Sequence, residues 1–200
     1  MTGKFDRVAS FYDRLVNLVF GNSLHEAQSH HLSEIESGES VLVIGGGTGS
    51  ILSEIPEGAM VTYLDASEQM TTAAKKYQAD EYLTIDFLEW DVERKFDWII
   101  APFFFDCFEE QNLNKAILIT KRILSEEGKL IVTDFAPVSV YQRFLTSLMI
   151  MFFRISVRLE ARKLLNIHQM ILVGGFKTLK QARFHKDFVF SNIYGKAETF

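Results

Sequence analysis

The sequence predicts an α/β fold, a doubly wound and mostly parallel sheet with helices on both faces and a reversed last strand. Three observations carry that prediction. Val41-Leu42-Val43-Ile44 is an apolar run of buried-strand type that breaks directly into the turn Gly45-Gly46-Gly47-Thr48-Gly49. From there to Phe135, strand-like and helix-like segments alternate, the pattern of parallel strands with crossover helices. The chain then finishes on two strand-like runs joined by His185-Lys186-Asp187, short enough for a hairpin, so the last strand runs antiparallel.

Taken in order, residues 5–20 place Val8, Phe11, Tyr12, Leu15, Val16, Leu18 and Val19 at helical spacing, and 24–35 read as a second helix. The first strand is 41–45, with a helix expected from Thr48. The second is 60–65, followed by a helix over 67–77. A short third strand covers 81–85. The fourth covers 96–101 and leads to a helix over 109–124, and the fifth covers 129–135. Residues 141–165 are strongly helical and unusually apolar. A helix over 166–173 ends at Gly174-Gly175, and strands over 176–184 and 188–194 bring the sheet to seven. There is no internal repeat or linker, so 1–200 reads as a single domain, with 1–36 as an N-terminal helical cap.

Composition narrows the class. The chain has 200 residues, 48% hydrophobic and 24% charged, enough for one soluble domain with a sizeable core. A lone cysteine, Cys107, excludes an intrachain disulfide and a cysteine-based metal site. His25, His30, His31, His168 and His185 have no ligand spacing, and the adjacent His30 and His31 read as surface or capping residues, so no metal is expected. The first ten residues lack the apolar core of a secretory signal, so a cytoplasmic location is the expectation. Net charge is −5 but uneven, −12 over 1–140 and +7 over 141–200. Such asymmetry marks a partner, or a basic patch that complements an acidic body. The basic residues are scattered and carry no nucleic-acid motif, so no nucleic acid is expected.

The strand and turn at 41–49 advertise a nucleotide-type cofactor site. The pattern is Gly45-x-Gly47-x-Gly49, whereas a nicotinamide fingerprint has its last glycine where this chain has Ser50. A tight turn without a ligand would use the same glycines. Asp65 ends the second strand, where an acid can accept hydrogen bonds from both ribose hydroxyls; its competing role is to cap the helix that begins near Ser67. Asp86 and Phe87 follow the third strand. They read as a carboxylate for an adenine amino group and a ring for its face, or as a turn acid beside a core phenylalanine. Asp106, in Pro102-Phe103-Phe104-Phe105-Asp106-Cys107-Phe108, follows the fourth strand at the carboxyl edge. It is the candidate base, or else a helix cap before Glu109. Cys107 reads as a small buried residue rather than a nucleophile.

Together with 41–49, the segments Leu64-Asp65-Ala66-Ser67-Glu68-Gln69-Met70, Asp86-Phe87, Phe96-Asp97-Trp98-Ile99-Ile100-Ala101-Pro102 and Ile123-Leu124-Ser125-Glu126-Glu127-Gly128-Lys129-Leu130 fall in a familiar order and spacing. Over residues 36–136 the chain resembles the class I S-adenosylmethionine-dependent methyltransferases, whose reversed last strand the terminal hairpin matches. Phe5-Asp6-Arg7-Val8-Ala9-Ser10-Phe11-Tyr12-Asp13 resembles the N-terminal signature of ubiquinone/menaquinone-type methyltransferases. The resemblance implies a Rossmann-like domain that binds S-adenosylmethionine. Gly45, Gly46, Gly47 and Gly49 would pass under its methionine part, Asp65 would hold the ribose, and Thr48 and Ala66 would also contact the cofactor. Met70 would pack near the adenine, with Asp86 and Phe87 at its edge and face. Ala101, Pro102 and Phe103 would line the cofactor and the methyl-transfer channel, and Tyr12 would close over the methionine end. Val43 departs from the pattern, because the family often has there an acid that helps hold the cofactor's amino group.

Methyl transfer from a sulfonium is an in-line displacement with an already activated leaving group, so positioning of the acceptor is the main requirement. A base is needed only where the acceptor must lose a proton. Phe103, Phe104, Phe105 and Phe108 can wall an apolar acceptor pocket or pack in the core. In the resemblance, 141–165 is a helical insertion on the acceptor side. Its run Leu148-Met149-Ile150-Met151-Phe152-Phe153 is too short and interrupted to span a membrane. Arg143, Arg154 and Arg158 fall within roughly 60° of one another on a helix. Residues 143–158 therefore read as a lid over a greasy or anionic acceptor, a peripheral membrane contact, a core helix or a homodimer face. The expected function is methyl transfer to a small apolar or aromatic acceptor, quinone-like or lipid-like. Two other classes stay open. An NAD-dependent oxidoreductase is one, disfavoured by Ser50 and the hairpin. The other is a cofactor-binding or membrane-associated interaction protein without catalysis, which Val43 and the lack of an evident base allow.

Overall fold

The structure, a computed structural model, describes residues 21–136 and 165–198. The helix expected over 5–20, Tyr12 with it, and the apolar basic stretch 143–158 lie outside the described residues.

Seven strands form one sheet: β1 (Ser40–Ile44), β2 (Met60–Asp65), β3 (Glu81–Thr84), β4 (Phe96–Pro102), β5 (Leu124–Phe135), β6 (Phe176–Phe184) and β7 (Val189–Lys196), in the order β3-β2-β1-β4-β5-β7-β6. β1 to β5 pair in parallel, and β7 runs antiparallel to both β5 and β6. The reversal follows from the connection. His185, Lys186 and Asp187 all take left-handed backbone angles, and the Phe188 N–H closes the turn on the His185 carbonyl at 3.2 Å. Among the described residues, four α-helices accompany the sheet: α1 (Ser23–Ser29), α2 (Glu68–Ala74), α3 (Glu110–Ile123) and α4 (Ile167–Val173).

β1 reads as an unbroken apolar run because both of its faces are covered, and Val41 to Ile44 are each 0% exposed. Side chains alternate between two cores. Leu42 and Ile44 join Leu113, Ala116 and Ile117 of α3 and Ile171 of α4, whereas Val41 and Val43 join Ile51, Leu52, Tyr63, Ala74 and Trp98. In α3 the buried residues Leu113, Ala116, Ile117 and Thr120 recur at the helical period and form one apolar stripe against the sheet.

Four elements differ from the sequence reading. The spacing predicts a helix from Thr48, but the chain makes only a 3-10 turn, Ser50–Glu54. Pro56 holds Ile55 extended (φ −74°, ψ 132°), which leaves no room for an α-helix after Gly49. The helix predicted over 24–35 divides into α1 and a 3-10 turn, Leu32–Glu34. His31, at the junction, is itself a correction. Far from a surface residue, it is 5% exposed, its Nε2 donates to the Ser191 carbonyl at 3.1 Å, and burial holds its pKa below the usual histidine value. β5 begins at Leu124, directly off α3, with a register shift opposite Phe96 and Trp98. α2 stops at Ala74, three residues short of the predicted end.

Asp97, at the amino edge of the sheet, staples β4 to β1. Its carboxylate accepts from the Ser40 N–H at 2.9 Å and hydroxyl at 2.7 Å, and from the Ser125 hydroxyl at 3.2 Å. The Ser40 bonds hold its pKa below the ordinary carboxylate value. Asp97→Ala is expected to cost about 1–3 kcal/mol in denaturant unfolding at neutral pH. Because the folded pKa is depressed, that contribution is present above the ordinary aspartate pKa and is lost as pH falls through the folded one. The gap between variant and wild type should therefore narrow in acid.

Candidate active site

Strand order reverses between β1 and β4, because β2 and β3 extend to one side of β1 while β4 and β5 lie on the other. In an open α/β sheet the crevice at the carboxyl ends of such strands is where ligands bind. Four chain segments meet there: the glycine loop after β1, Asp65 at the end of β2, the turn after β4 and the end of β5.

The loop owes its shape to Gly45 and Gly49. Gly45 sits at φ +64° with the Phe104 ring against it, and any Cβ there would collide with that ring. Gly49 sits at φ +78°, and a Cβ would lie 2.6 Å from Ala74 Cβ and 2.8 Å from Ala74 Cα, so the bare glycine lets α2 pack onto the loop. Between them Gly47 faces open space, with nothing within 4 Å of where a Cβ would be. This is the open side of the cradle.

Asp65 and Tyr63 clamp the loop from below. Asp65 Oδ2 accepts from the Gly47 N–H at 3.1 Å and faces the Tyr63 hydroxyl at 3.5 Å, while Tyr63 donates to the Gly47 carbonyl. Asp65 Oδ1 accepts from the Ser67 N–H at 2.8 Å. A carboxylate offers about four acceptor positions. With the one Tyr63 proton on the Gly47 carbonyl, the Gly47 and Ser67 N–H groups take two of these positions, and Asp65 keeps two for ligand hydroxyls. The cap of α2 is Ser67, whose hydroxyl accepts from the Met70 N–H at 3.4 Å. Tyr63 was not singled out in the sequence. It is fully buried, and burial together with the Asp65 charge pushes its pKa up, so it stays a neutral donor. Val43, where the family that this chain resembles often has an acid, is closed into the apolar cluster with Tyr63, Ile51 and Trp98. In this chain the loop is fixed by the Tyr63–Asp65 clamp.

The other predicted residues divide. Thr48, Ala66 and Asp86 are exposed and Met70 half-buried. Asp86 Oδ1 accepts from the Leu88 N–H at 2.8 Å in a local turn. Phe87 and Ala101 are 2% and 0% exposed. Both side chains are spent in the core, with Phe87 edge-on to Phe104 at 5.4 Å, so neither offers a ring or methyl surface to a ligand as the sequence reading expected. Pro102 is buried at the end of β4.

After Pro102 the chain kinks. Phe103 takes φ +50°, an outlier for an aromatic residue, and is held there by its N–H on the Thr133 carbonyl at 2.7 Å and by ring contact with Phe135 at 4.8 Å. The kink sets Asp106 against Asp134 at the end of β5. Asp134 Oδ2 accepts from the Asp106 N–H at 3.1 Å. Asp106 lies in a 3-10 turn, Phe105–Cys107, rather than capping α3. Burial pushes its pKa up to about 6, and burial plus the Asp106 charge pushes Asp134 well up. Cys107 Sγ lies 3.5 Å from Asp106 Oδ1, and burial with these carboxylates raises its thiol pKa well above the usual value. It is no nucleophile. Asp134 escaped the sequence reading, although an acid closing the run Leu130-Ile131-Val132-Thr133 was the signal that could have found it.

The pair makes stability pH-dependent. Groups with raised folded pKa stabilise fully below their unfolded pKa, and that contribution is lost as pH rises through the folded one. Thermal midpoints of the wild type should therefore fall as pH rises from the ordinary aspartate range through about 6. Asp106→Asn should flatten that slope.

Residues 42–130 match the family described as a methyltransferase domain. An uncharacterized methyltransferase of Bacillus cytotoxicus is 28% identical over 143 residues, a match that spans 66% of each chain. Among solved structures, the N-methyltransferase NodS of Bradyrhizobium japonicum with S-adenosyl-L-homocysteine is similar at a TM-score of 0.67 and 14% identity, covering 87% of this chain and 86% of that one. The 1,6-didemethyltoxoflavin-N1-methyltransferase of Burkholderia thailandensis, with bound 1,6-didemethyltoxoflavin and S-adenosylhomocysteine, is similar at 0.69 and 14%, covering 96% and 86%.

Proposed function

We propose that this chain is a class I S-adenosylmethionine-dependent methyltransferase and that it methylates a small apolar or aromatic acceptor, quinone-like or lipid-like. The observation that supports the cofactor half of this reading is the glycine cradle, open at Gly47 and clamped to Asp65 at the point where strand order reverses. Bound S-adenosylmethionine supplies a methyl group already activated on a sulfonium. This chain's residues bind and orient. Gly45 to Gly49 lie under the methionine part, Asp65 holds the ribose with Ala66 beside it, Met70 packs near the adenine, and the exposed Asp86 takes the adenine edge. Phe87, Ala101 and Pro102 support these positions from the core. Asp106 is the proton acceptor where the acceptor carries a proton. By the resemblance of residues 5–13 to the ubiquinone/menaquinone-type signature, Tyr12, which lies outside the described residues, would close over the methionine end.

The half-buried Phe103, Phe104 and Phe108 around Asp106 favour a flat or greasy acceptor. The Burkholderia thailandensis enzyme of similar fold holds bound 1,6-didemethyltoxoflavin and S-adenosylhomocysteine. Residues 141–165 are the candidate acceptor-side insertion, and for 143–158, which lies outside the described residues, the candidate roles are an acceptor lid, a peripheral membrane contact, a core helix and a homodimer face. No helix among the described residues is long and apolar enough to cross a membrane. The test is incubation of the protein with methyl-labelled cofactor and a hydroquinone, a catechol and a heteroaromatic amine. Label on at least one of these is the expected result. Label on none, with cofactor binding intact, would favour a non-catalytic binder.

A further inference from the structure

Phe104 is seated on the cofactor loop as well as beside Asp106. A Cβ built on Gly45 would collide with its ring, with Cγ and Cε2 both at 3.3 Å, and the three atoms nearest to that Cβ all belong to Phe104. The side chain that Gly45 lacks is thus replaced by an aromatic ring from the turn after β4. Two devices hold the ring there. Phe103, one residue before, takes the left-handed φ of +50° and ties its N–H to the Thr133 carbonyl at 2.7 Å. Phe87, Phe105 and Phe108 then surround Phe104 at centroid distances of 5.4, 5.4 and 5.0 Å, with interplanar angles of 90°, 66° and 77°. All three pairs are edge-to-face, so none of these neighbours is stacked flat on Phe104. The ring is half-buried, and it borders the crevice at the carboxyl ends of β1 and β4. Strain held at such a place is a mark of a working site.

We propose that the Phe104 ring is a binding contact for the sulfonium of S-adenosylmethionine, through which the site prefers this cation to the neutral thioether of S-adenosylhomocysteine. The inference rests on the methyltransferase reading, which lays the methionine part of the cofactor over Gly45. A sulfonium carries a full positive charge but has no N–H or O–H to donate. Its attraction to the protein is therefore undirected electrostatics, which the negative face of an aromatic ring supplies. The ring also costs less to desolvate than a carboxylate would at the same place. β1, which leads into the loop, sends no carboxylate there, because Val43 is closed into the apolar cluster. The neutral thioether keeps only the dispersion part of the contact. The left-handed Phe103 and the bare Gly45 together bring the ring to the loop.

The experiment is calorimetric titration of the full chain with S-adenosylmethionine and with S-adenosylhomocysteine, in the wild type and in ring variants. The ratio of the two affinities cancels every group that treats both ligands alike. Phe104→Leu keeps an apolar side chain but loses the π face, and the ratio should shift toward the homocysteine form by roughly three- to thirtyfold. Phe104→Tyr keeps the ring and should keep the ratio. Phe108→Leu removes a neighbour of the ring but leaves the ring over Gly45, and should keep the ratio too. Thermal unfolding shows which variants are folded. If Phe104→Leu does not fold, pentafluorophenylalanine in place of Phe104 keeps the shape and reverses the sign of the ring face, and the same shift is expected. An unchanged ratio in whichever of these two proteins is folded would overturn the proposal, as would an equal shift in Phe108→Leu. Wild type that binds neither ligand would overturn the cofactor assignment beneath it, and the proposal with it.

Discussion

Gly49→Ala is expected to destabilise the protein by roughly 2–5 kcal/mol. Left-handed backbone at φ +78° costs an alanine about 1–2 kcal/mol, and forcing a methyl to within 2.8 Å of Ala74 Cα adds about 1–3 kcal/mol because backbone, not a pliable side chain, must move. Against a total of roughly 5–15 kcal/mol, that is a large share. Urea unfolding reads it as a lower midpoint at unchanged slope. Gly47→Ala is the control. It carries the same left-handed penalty, φ +56°, but meets open space, so only about 1–2 kcal/mol is expected. Equal losses at the two positions would show that contact with α2 is not what demands glycine at 49.

Asp65→Ala is expected to weaken S-adenosylmethionine binding by roughly 100-fold or more. Hydrogen bonds to a charged partner are worth about 1.5–3 kcal/mol each, and two ribose hydroxyls would lose theirs. The change also frees the Gly47 N–H and the Ser67 N–H from their acceptor, so the loop loses its clamp. Tyr63→Phe separates the two effects. It removes the hydroxyl on the Gly47 carbonyl but leaves the carboxylate, and should cost far less affinity. Asp65→Ala protein that binds the cofactor as tightly as wild type would remove the ribose role.

Much of this was legible before any coordinates. The run 41–44, the alternation through 135 and the short joint at 185–187 dictated strand types, order of appearance and the reversed last strand, because burial on both faces and turn length are written in local sequence. Gly45 to Gly49 and Asp65 converge as their spacing implies. Contacts between segments far apart in sequence were not legible. Nothing near His31 announces Ser191, and nothing near Tyr63 announces that its hydroxyl reaches the glycine loop. Phe87 and Ala101 look like ligand contacts by position along the chain, but their burial depends on what the opposite layer brings. The missing helix after Gly49 was within reach, since Pro56 stood in the sequence and its effect on Ile55 is local. Asp106 was found alone. Only the parallel pairing of β4 with β5 reveals that its partner is Asp134.

The most direct test of the cofactor site is calorimetric titration of the purified protein with S-adenosylmethionine and, in parallel, NADH. Saturable binding of S-adenosylmethionine and none of NADH is the predicted result. Binding of NADH alone, or of neither, would contradict the assignment of the Gly45–Gly49 loop and Asp65 to a methyl donor.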